Sequence, residues 1–125
     1  MANNPEYKLQ CHVADYLDVT LNPTMTHWTS IENSNHTGGV AGAIKQMKDK
    51  RKGVKAGTPD IIIMYEGKVL WIELKAGKNP LTDKQVEFHR LLKQAGLDVE
   101  IVRSIAELEA TIRKYRIPQK NMSHQ

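Results

Sequence analysis

Cysteine is almost absent from this chain of 125 residues, which contains only Cys11. A single cysteine excludes an internal disulfide, and no Cys or His pair has the spacing of a zinc site. Because Cys11 has no activating partner nearby in the sequence, we expect it to face the core. The chain also has no apolar run long enough to cross a membrane and no signal-peptide layout at its N-terminus. These absences favour a cytoplasmic protein with no membrane partner.

Internal repeats and low-complexity segments are also missing, which indicates a single domain. A chain of 125 residues buries roughly two thirds of its unfolded surface, enough for one core without disulfides. We expect this domain to cover residues 1–116 and a flexible C-terminal tail to follow over residues 117–125.

Positive charge is concentrated in one stretch of the sequence. The formal net charge is +4 and the pI is near 9.2, which alone is a weak indication of a polyanionic partner. A basic run is usually a solvated surface, but this one lies directly before the most hydrophobic segment, which favours contact with phosphate groups. The candidates for that contact are Lys45, Lys48, Lys50, Arg51, Lys52 and Lys55.

Hydrophobic periodicity predicts a small α/β domain with the order helix, strand, glycine-containing helix, β-hairpin, helix, strand, helix. The first helix covers about Pro5–Val19 and is capped by Asn4. Ser104 and Glu107 have the spacing of a capping box at the start of the last helix. The segment Met25–Ile31 has the composition of a strand.

The clearest element is a β-hairpin in the segment TPDIIIMYEGKVLWIELKAGK. Two continuous apolar runs, Ile61–Met64 and Val69–Ile72, flank Glu66-Gly67, which suits a two-residue turn. With that turn, Asp60 lies directly opposite Glu73 at the open end of the hairpin.

Charged residues at the end of so hydrophobic a hairpin need an explanation. Asp60 and Glu73 would have Cβ atoms about 5 Å apart, and Lys75 points to the same face as Glu73. Facing carboxylates repel, and burial raises the cost of charging them. Mg²⁺ would compensate, since it takes one or two carboxylates plus water and phosphate oxygens. The alternative is a strand-entry aspartate beside a Glu73–Lys75 ion pair, but the joint pattern favours a metal site.

These residues also carry a family resemblance. GTPDIII followed by WIELKAG resembles the PD-(D/E)xK nuclease superfamily, and the downstream LTDKQ is similar to its virus-type replication-repair nuclease (VRR-NUC) domain. The resemblance covers roughly residues 5–104 and implies a restriction-endonuclease-like core, a small mixed β-sheet with a central hairpin flanked by helices. It implies that Asp60 and Glu73 bind Mg²⁺ or Mn²⁺ without an organic cofactor. It also implies that the backbone carbonyl of Leu74 completes the ligands and that Lys75 assists the attacking water.

Two further site residues follow from the resemblance. The family has an acidic residue in its first helix, which Glu6 matches, although an acid in a first turn also stabilises the helix dipole. Glu32 is the alternative to Glu6. The family has a glutamine in the helix after the ExK motif, which Gln85 matches. Thr82 and Gln85 also form a capping box, which explains the glutamine locally.

The resemblance implies a metal-dependent endonuclease that hydrolyses phosphodiester bonds in DNA. The sequence has no recognisable element for reading base edges, and basic residues give backbone affinity without sequence choice. We therefore expect selectivity for branched replication, repair or recombination intermediates such as Holliday junctions, cut by a symmetric homodimer in a bacterial or phage-infected cell. Two alternatives stay open: a non-catalytic DNA-binding module on the same fold and a sequence-specific restriction-type endonuclease.

Overall fold

Four helices and four strands make up the part of the chain that the structure, a computed structural model, describes: residues 4–31 and 39–120. In chain order they are α1 (Pro5–Thr20), β1 (Thr26–Ser30), α2 (Gly39–Lys52), β2 (Ile61–Tyr65), β3 (Lys68–Leu74), α3 (Asp83–Gln94), β4 (Asp98–Val102) and α4 (Ile105–Lys114). None of the helices within these residues is both long and apolar enough to span a membrane.

A mixed four-stranded sheet with the order β1-β2-β3-β4 forms the centre of the fold. The β1–β2 and β2–β3 pairs are antiparallel, and β4 pairs with β3 in parallel. The parallel pair is possible because α3 forms the crossover between them. A mixed sheet with a central hairpin and flanking helices confirms the predicted α/β, restriction-endonuclease-like fold class.

The two faces of the sheet have different surroundings. Leu70, Ile72 and Leu74 of β3 point into the main core, which α1 and α4 cover. The alternate residues of β3 point to the opposite face, where side chains of α3 contact Glu73. Glu73 is therefore buried outside the main apolar core. The buried core residues from the other elements include Val13, Leu17, Ile61, Ile63, Val102, Leu108 and Ile112.

The predicted register of the β-hairpin is confirmed. The strands pair from Ile61↔Ile72 to Tyr65↔Lys68, which leaves Glu66-Gly67 as a two-residue turn. Both turn residues have positive φ, 52° and 73°, as a type I′ turn requires. Continued by one residue, this register sets the two acids at the open end of the hairpin opposite each other.

The helix starts follow the predicted caps with one difference. The side chain of Asn4 accepts the N–H of Tyr7 at 3.0 Å, and Oγ of Ser104 accepts the N–H of Glu107 at 3.1 Å. The carboxylate of Glu107, however, accepts the N–H of Arg103. The predicted capping box of α4 is thus only half formed, and its second hydrogen bond goes one residue further back.

Two predictions about the periphery are wrong. Ile117, expected to begin the flexible tail, is fully buried, and the N–H of Lys120 donates to the carbonyl of Thr20 at 2.8 Å. The domain therefore continues to residue 120, because the end of α1 provides both an apolar contact and a backbone partner; residues 121–125 lie outside the described part. Cys11 is exposed, since it lies on the side of α1 opposite Val13.

Candidate active site

The open end of the hairpin brings together the three charged residues that the motifs predict. Glu73 is 1% exposed and Lys75 is 6% exposed. Asp60 immediately precedes β2, and its Oδ2 accepts a hydrogen bond from the N–H of Leu74 at 2.8 Å. The hairpin register sets Asp60 opposite Glu73. Paired strands therefore hold both carboxylates in position more precisely than loops would.

Burial controls the protonation of Asp60. Loss of solvation raises the pKa of Asp60 from its ordinary 3.8 to about 7. The N–H of Leu74 acts to lower this pKa, the adjacent Glu73 carboxylate raises it, and the charge of Lys75 lowers it. The surrounding protein thus compensates the two negative charges incompletely, so a cation beside Asp60 and Glu73 would favour the ionised pair.

Lys75 has an additional acidic neighbour on α1. Its Nζ lies 4.0 Å from Oε2 of Glu6, whose side chain is 43% exposed. One turn further along α1, Nε2 of Gln10 donates to Oγ of Ser30 at 3.1 Å, which attaches the helix to β1. The structure thus brings Glu6 to the site, whereas the alternative residue, Glu32, lies outside the described residues.

Gln85 makes both of the contacts that the sequence left as alternatives. Its Oε1 accepts the N–H of Thr82 at 2.9 Å, and its own N–H donates to Oγ1 of Thr82 at 3.2 Å. This confirms the predicted capping box. Its Nε2 donates to Oε2 of Glu73 at 3.1 Å. The first turn of α3 is therefore attached to the candidate site.

His89 also contacts the candidate site, although no sequence motif predicts it. Its ring is buried, and Nε2 lies 3.0 Å from Oε1 of Glu73. The only signal available in the sequence was its position four residues after Gln85, because residues at this spacing share a helix face.

A close backbone contact places the basic segment beside α3. Gly57 has a φ of +85°, and a Cβ built on it would lie 2.3 Å from the carbonyl oxygen of Lys84. Glycine is required here by both the conformation and the lack of space. The loop between α2 and β2 therefore lies against the first turn of α3, next to Gln85.

A cleft of about 290 Å³ lies between α2, this loop and α3. Lys50 and Lys55 line it, together with Lys84, which was not among the predicted basic residues. Lys45 instead contacts Asp49, with Nζ 2.8 Å from Oδ2. All six predicted basic residues are exposed, but only two of them line the cleft that reaches the start of α3.

The donor set of the site fits one class of metal ion. Within residues 4–31 and 39–120, no three His, Cys, Asp or Glu side chains are grouped so that they alone could hold a metal. Mg²⁺ does not need such a group, because it binds through one or two carboxylates and keeps waters and substrate phosphate oxygens as its other ligands. Asp60 and Glu73 fit this ion, and their incompletely compensated charge favours it.

Comparisons with known proteins agree with this fold. The sequence profile of the VRR-NUC domain matches residues 3–106. A solved structure described as a "VRR_NUC domain protein" has a TM-score of 0.65 and 23% sequence identity to this chain, and the match covers 94% of this chain and 93% of that one. No curated protein sequence matches the chain significantly.

Proposed function

The chain belongs to the VRR-NUC domain family of nucleases, and on that premise we propose that it is a metal-dependent, structure-selective DNA endonuclease. The observation that carries the proposal is the pair of carboxylates, Asp60 and Glu73, which the hairpin register sets opposite each other beside the buried Lys75. A held metal ion can activate water for attack on a phosphodiester, and a positive group near the phosphate stabilises the charge that develops. We expect this activity in the cytoplasm of a bacterial or phage-infected cell.

The site residues have distinct roles in the proposed hydrolysis. Asp60 and Glu73, with the backbone carbonyl of Leu74, would hold Mg²⁺ or Mn²⁺. When bound, the ion polarises the phosphate and lowers the pKa of a coordinated water. Lys75 donates hydrogen bonds to the attacking water or to a non-bridging phosphate oxygen, and Glu6, 4.0 Å from its Nζ, restrains the lysine.

Branched DNA is the proposed substrate because the basic cleft contacts backbone rather than bases. Lys50, Lys55 and Lys84 line a cleft that ends at the first turn of α3, beside Gln85. Lysines contact phosphates without reading sequence, so the path of the backbone at a junction or flap is what such a surface can select.

Cleavage of an end-labelled four-way junction, flap and plain duplex in Mg²⁺, Mn²⁺ or EDTA tests the proposal. We expect metal-dependent cuts near the branch point from the wild type. Asp60→Ala should not cleave but should still bind DNA, because an anionic group has been removed. Asp15→Ala changes an exposed acid on α1 and should cleave as the wild type does.

The same assay separates the alternatives. Retarded but uncut DNA in every metal would contradict a nuclease and favour a DNA-binding module. Discrete sequence-dependent fragments from linear duplex would favour a restriction-type enzyme. Thermal unfolding of each variant accompanies the assay, because an unfolded Asp60→Ala protein would mean that this carboxylate has a structural role.

The proposal includes a symmetric homodimer, which the exposed side of α2 supports. Val40, Ile44 and Met47 are 76%, 48% and 67% exposed, and their spacing puts them on one stripe of the helix. The buried residues of α2 are Gly42 and Asp49, which lie on the opposite side. A helix that buries a glycine and an acid while exposing three large apolar residues has an apolar face suited to a partner.

A second copy of α2 is the partner that the charge distribution favours. The half of α2 before Lys45 contains no ionisable residue, whereas the half from Lys45 to Lys52 is strongly basic. Two antiparallel copies related by a two-fold axis place each basic half beside the uncharged half of its partner. One helix covers less than the roughly 800 Å² per partner of a standard interface, so we expect the dimer to dissociate on dilution.

Light scattering over a range of concentrations tests the dimer without requiring cleavage. We expect the wild type to approach twice the chain mass of 14.2 kDa at high concentration. Ile44→Lys should be monomeric, since it puts like charges near the two-fold axis. Val19→Lys, at an isolated exposed position on α1, should still dimerise. A wild type that is monomeric at every concentration would contradict the dimer and leave the nuclease proposal standing.

A further inference from the structure

His89 and Gln85 together hold both oxygens of the Glu73 carboxylate. His89 is 6% exposed, and its Nε2 lies 3.0 Å from Oε1 of Glu73. Gln85 donates from Nε2 to the other oxygen, Oε2, at 3.1 Å. The two residues are one helical turn apart, so a single face of α3 supplies a partner for each carboxylate oxygen.

The direction of the His89–Glu73 hydrogen bond follows from the chemistry of the acceptor. An ionised carboxylate can only accept, so Nε2 of His89 must carry the donated hydrogen. A carboxylate offers about four lone-pair positions, and two donors from α3 leave a position on each oxygen for a metal ion. Because Glu73 is 1% exposed, these donors rather than water fix the orientation of its carboxylate.

We propose that His89 is a positioning residue whose Nε2–H holds the Glu73 carboxylate in the orientation that binds the divalent metal ion. The inference rests on the proposed function, because it requires a metal at Asp60 and Glu73. Hydrogen bonds from residues that do not touch the metal commonly change its affinity about 10–100-fold. An imidazole can donate while uncharged, so it orients the carboxylate and leaves the negative charge for the cation. A lysine in its place would compete with the metal.

A purely structural histidine would behave differently from a positioning one. If His89 only satisfied the buried carboxylate, its loss would lower the stability of the fold but leave the metal affinity of the folded protein unchanged. If His89 positions Glu73, the metal affinity of the folded protein falls whether or not stability changes. Metal affinity is therefore the quantity that separates the two roles.

Calorimetric titration with Mn²⁺ provides this measurement without requiring cleavage. We expect His89→Phe, which keeps a buried ring but removes the donor, to bind Mn²⁺ about 10–100-fold more weakly than the wild type. His89→Gln keeps an N–H donor at a similar reach and should recover the affinity to within a few-fold. Glu87→Gln, at an exposed position on the same helix, should bind as the wild type does. Thermal unfolding in EDTA establishes that each titrated variant is folded.

A second readout is the Mg²⁺ concentration that gives half-maximal cleavage. In His89→Phe this concentration should rise by the same factor as the loss of affinity, and saturating Mg²⁺ should restore most of the rate. If His89→Phe does not fold, His89→Asn replaces it, because the shorter amide cannot reach Oε1 of Glu73.

Each outcome supports or overturns the role of His89. If folded His89→Phe, or His89→Asn in its place, binds Mn²⁺ as tightly as the wild type, the positioning role is overturned and the nuclease proposal is intact. Weak binding in that variant with recovery in His89→Gln would support the role. A wild type that binds no Mn²⁺ would overturn the proposed metal-dependent function and this inference together.

Discussion

The substitution Asp60→Asn is expected to stabilise the metal-free protein at alkaline pH, although Asp60 is a proposed metal ligand. Burial raises the pKa of Asp60 from 3.8 to about 7, so the folded state disfavours the ionised form. A group with a raised folded pKa contributes its full stability below the unfolded pKa and loses that contribution as the pH rises through the folded pKa. The wild type should therefore lose stability between these two pKa values, while the variant should not.

The size of the effect follows from the two pKa values. Each pH unit between them costs about 1.4 kcal/mol, so the free energy of unfolding should fall by about 2 to 3 kcal/mol between pH 5 and pH 8 through Asp60 alone. Asparagine does not ionise, its oxygen can accept the N–H of Leu74, and its NH₂ group can face Glu73. In a domain of this size, the free-energy difference corresponds to a change of about 10 °C in Tm.

Thermal unfolding in EDTA at several pH values checks this expectation. The Tm difference between Asp60→Asn and the wild type should widen in favour of the variant as the pH rises. Asp15→Asn, at an exposed position on α1, should show no widening. Mg²⁺ added at pH 8 should raise the Tm of the wild type, by ligand linkage, but not that of Asp60→Asn. A difference that stays constant from pH 5 to pH 8 would refute the raised pKa and the incompletely compensated carboxylate pair.

Three further predictions concern the loop, the C-terminal boundary and the lysine. Gly57→Ala should lower Tm much more than Gly53→Ala, since both have positive φ but only the first meets the Lys84 backbone; equal losses would contradict the close contact. A chain ending at residue 116 should be about 2–5 kcal/mol less stable in denaturant unfolding than one ending at residue 120, because it loses the burial of Ile117. Lys75→Ala should slow cleavage about 100-fold or more while Mn²⁺ affinity is kept, and a parallel loss of affinity would mean that the lysine supports the metal ligands.

The hairpin could be predicted from the sequence because its determinants are local. The turn at Glu66-Gly67 fixes which residues pair, and the two-residue periodicity of a strand then fixes which side chains share a face. Asp60, Glu73 and Lys75 follow from that register without any knowledge of the rest of the fold. Their proximity was predictable for the same reason, whereas their roles in catalysis stay a prediction.

The C-terminal boundary of the domain and the packed side of α2 depend on contacts between distant segments, so the sequence alone did not predict them. Ile117 follows the end of α4, where no local pattern distinguishes a packed residue from a loose one, and the bridge between Leu21 and Gln119 joins opposite ends of the chain. The apolar stripe of α2, which includes Ile44, would ordinarily predict a buried face. In the structure this stripe is exposed, so the spacing of its apolar residues does not identify the side of α2 that packs.

His89 was missed because the capping box already explained the start of α3. A single histidine within an amphipathic helix adds no periodic signal of its own. Once Gln85 is known to contact Glu73, the helical spacing points to position 89 as the next residue on the same face. The four-residue spacing is visible in the sequence, but the contact between His89 and Glu73 joins α3 to β3 and is visible only in the structure.

Gln85 shows that a capping role and a site role need not exclude each other. A carboxamide has an oxygen that accepts and a nitrogen that donates, so one side chain can accept the N–H of Thr82 and donate to Glu73 at the same time. Glutamate would complete a capping box equally well, but it would bring a second acceptor and a like charge against Glu73. The capping box therefore explains why position 85 is Glu or Gln, and only the contact with Glu73 explains why it is Gln.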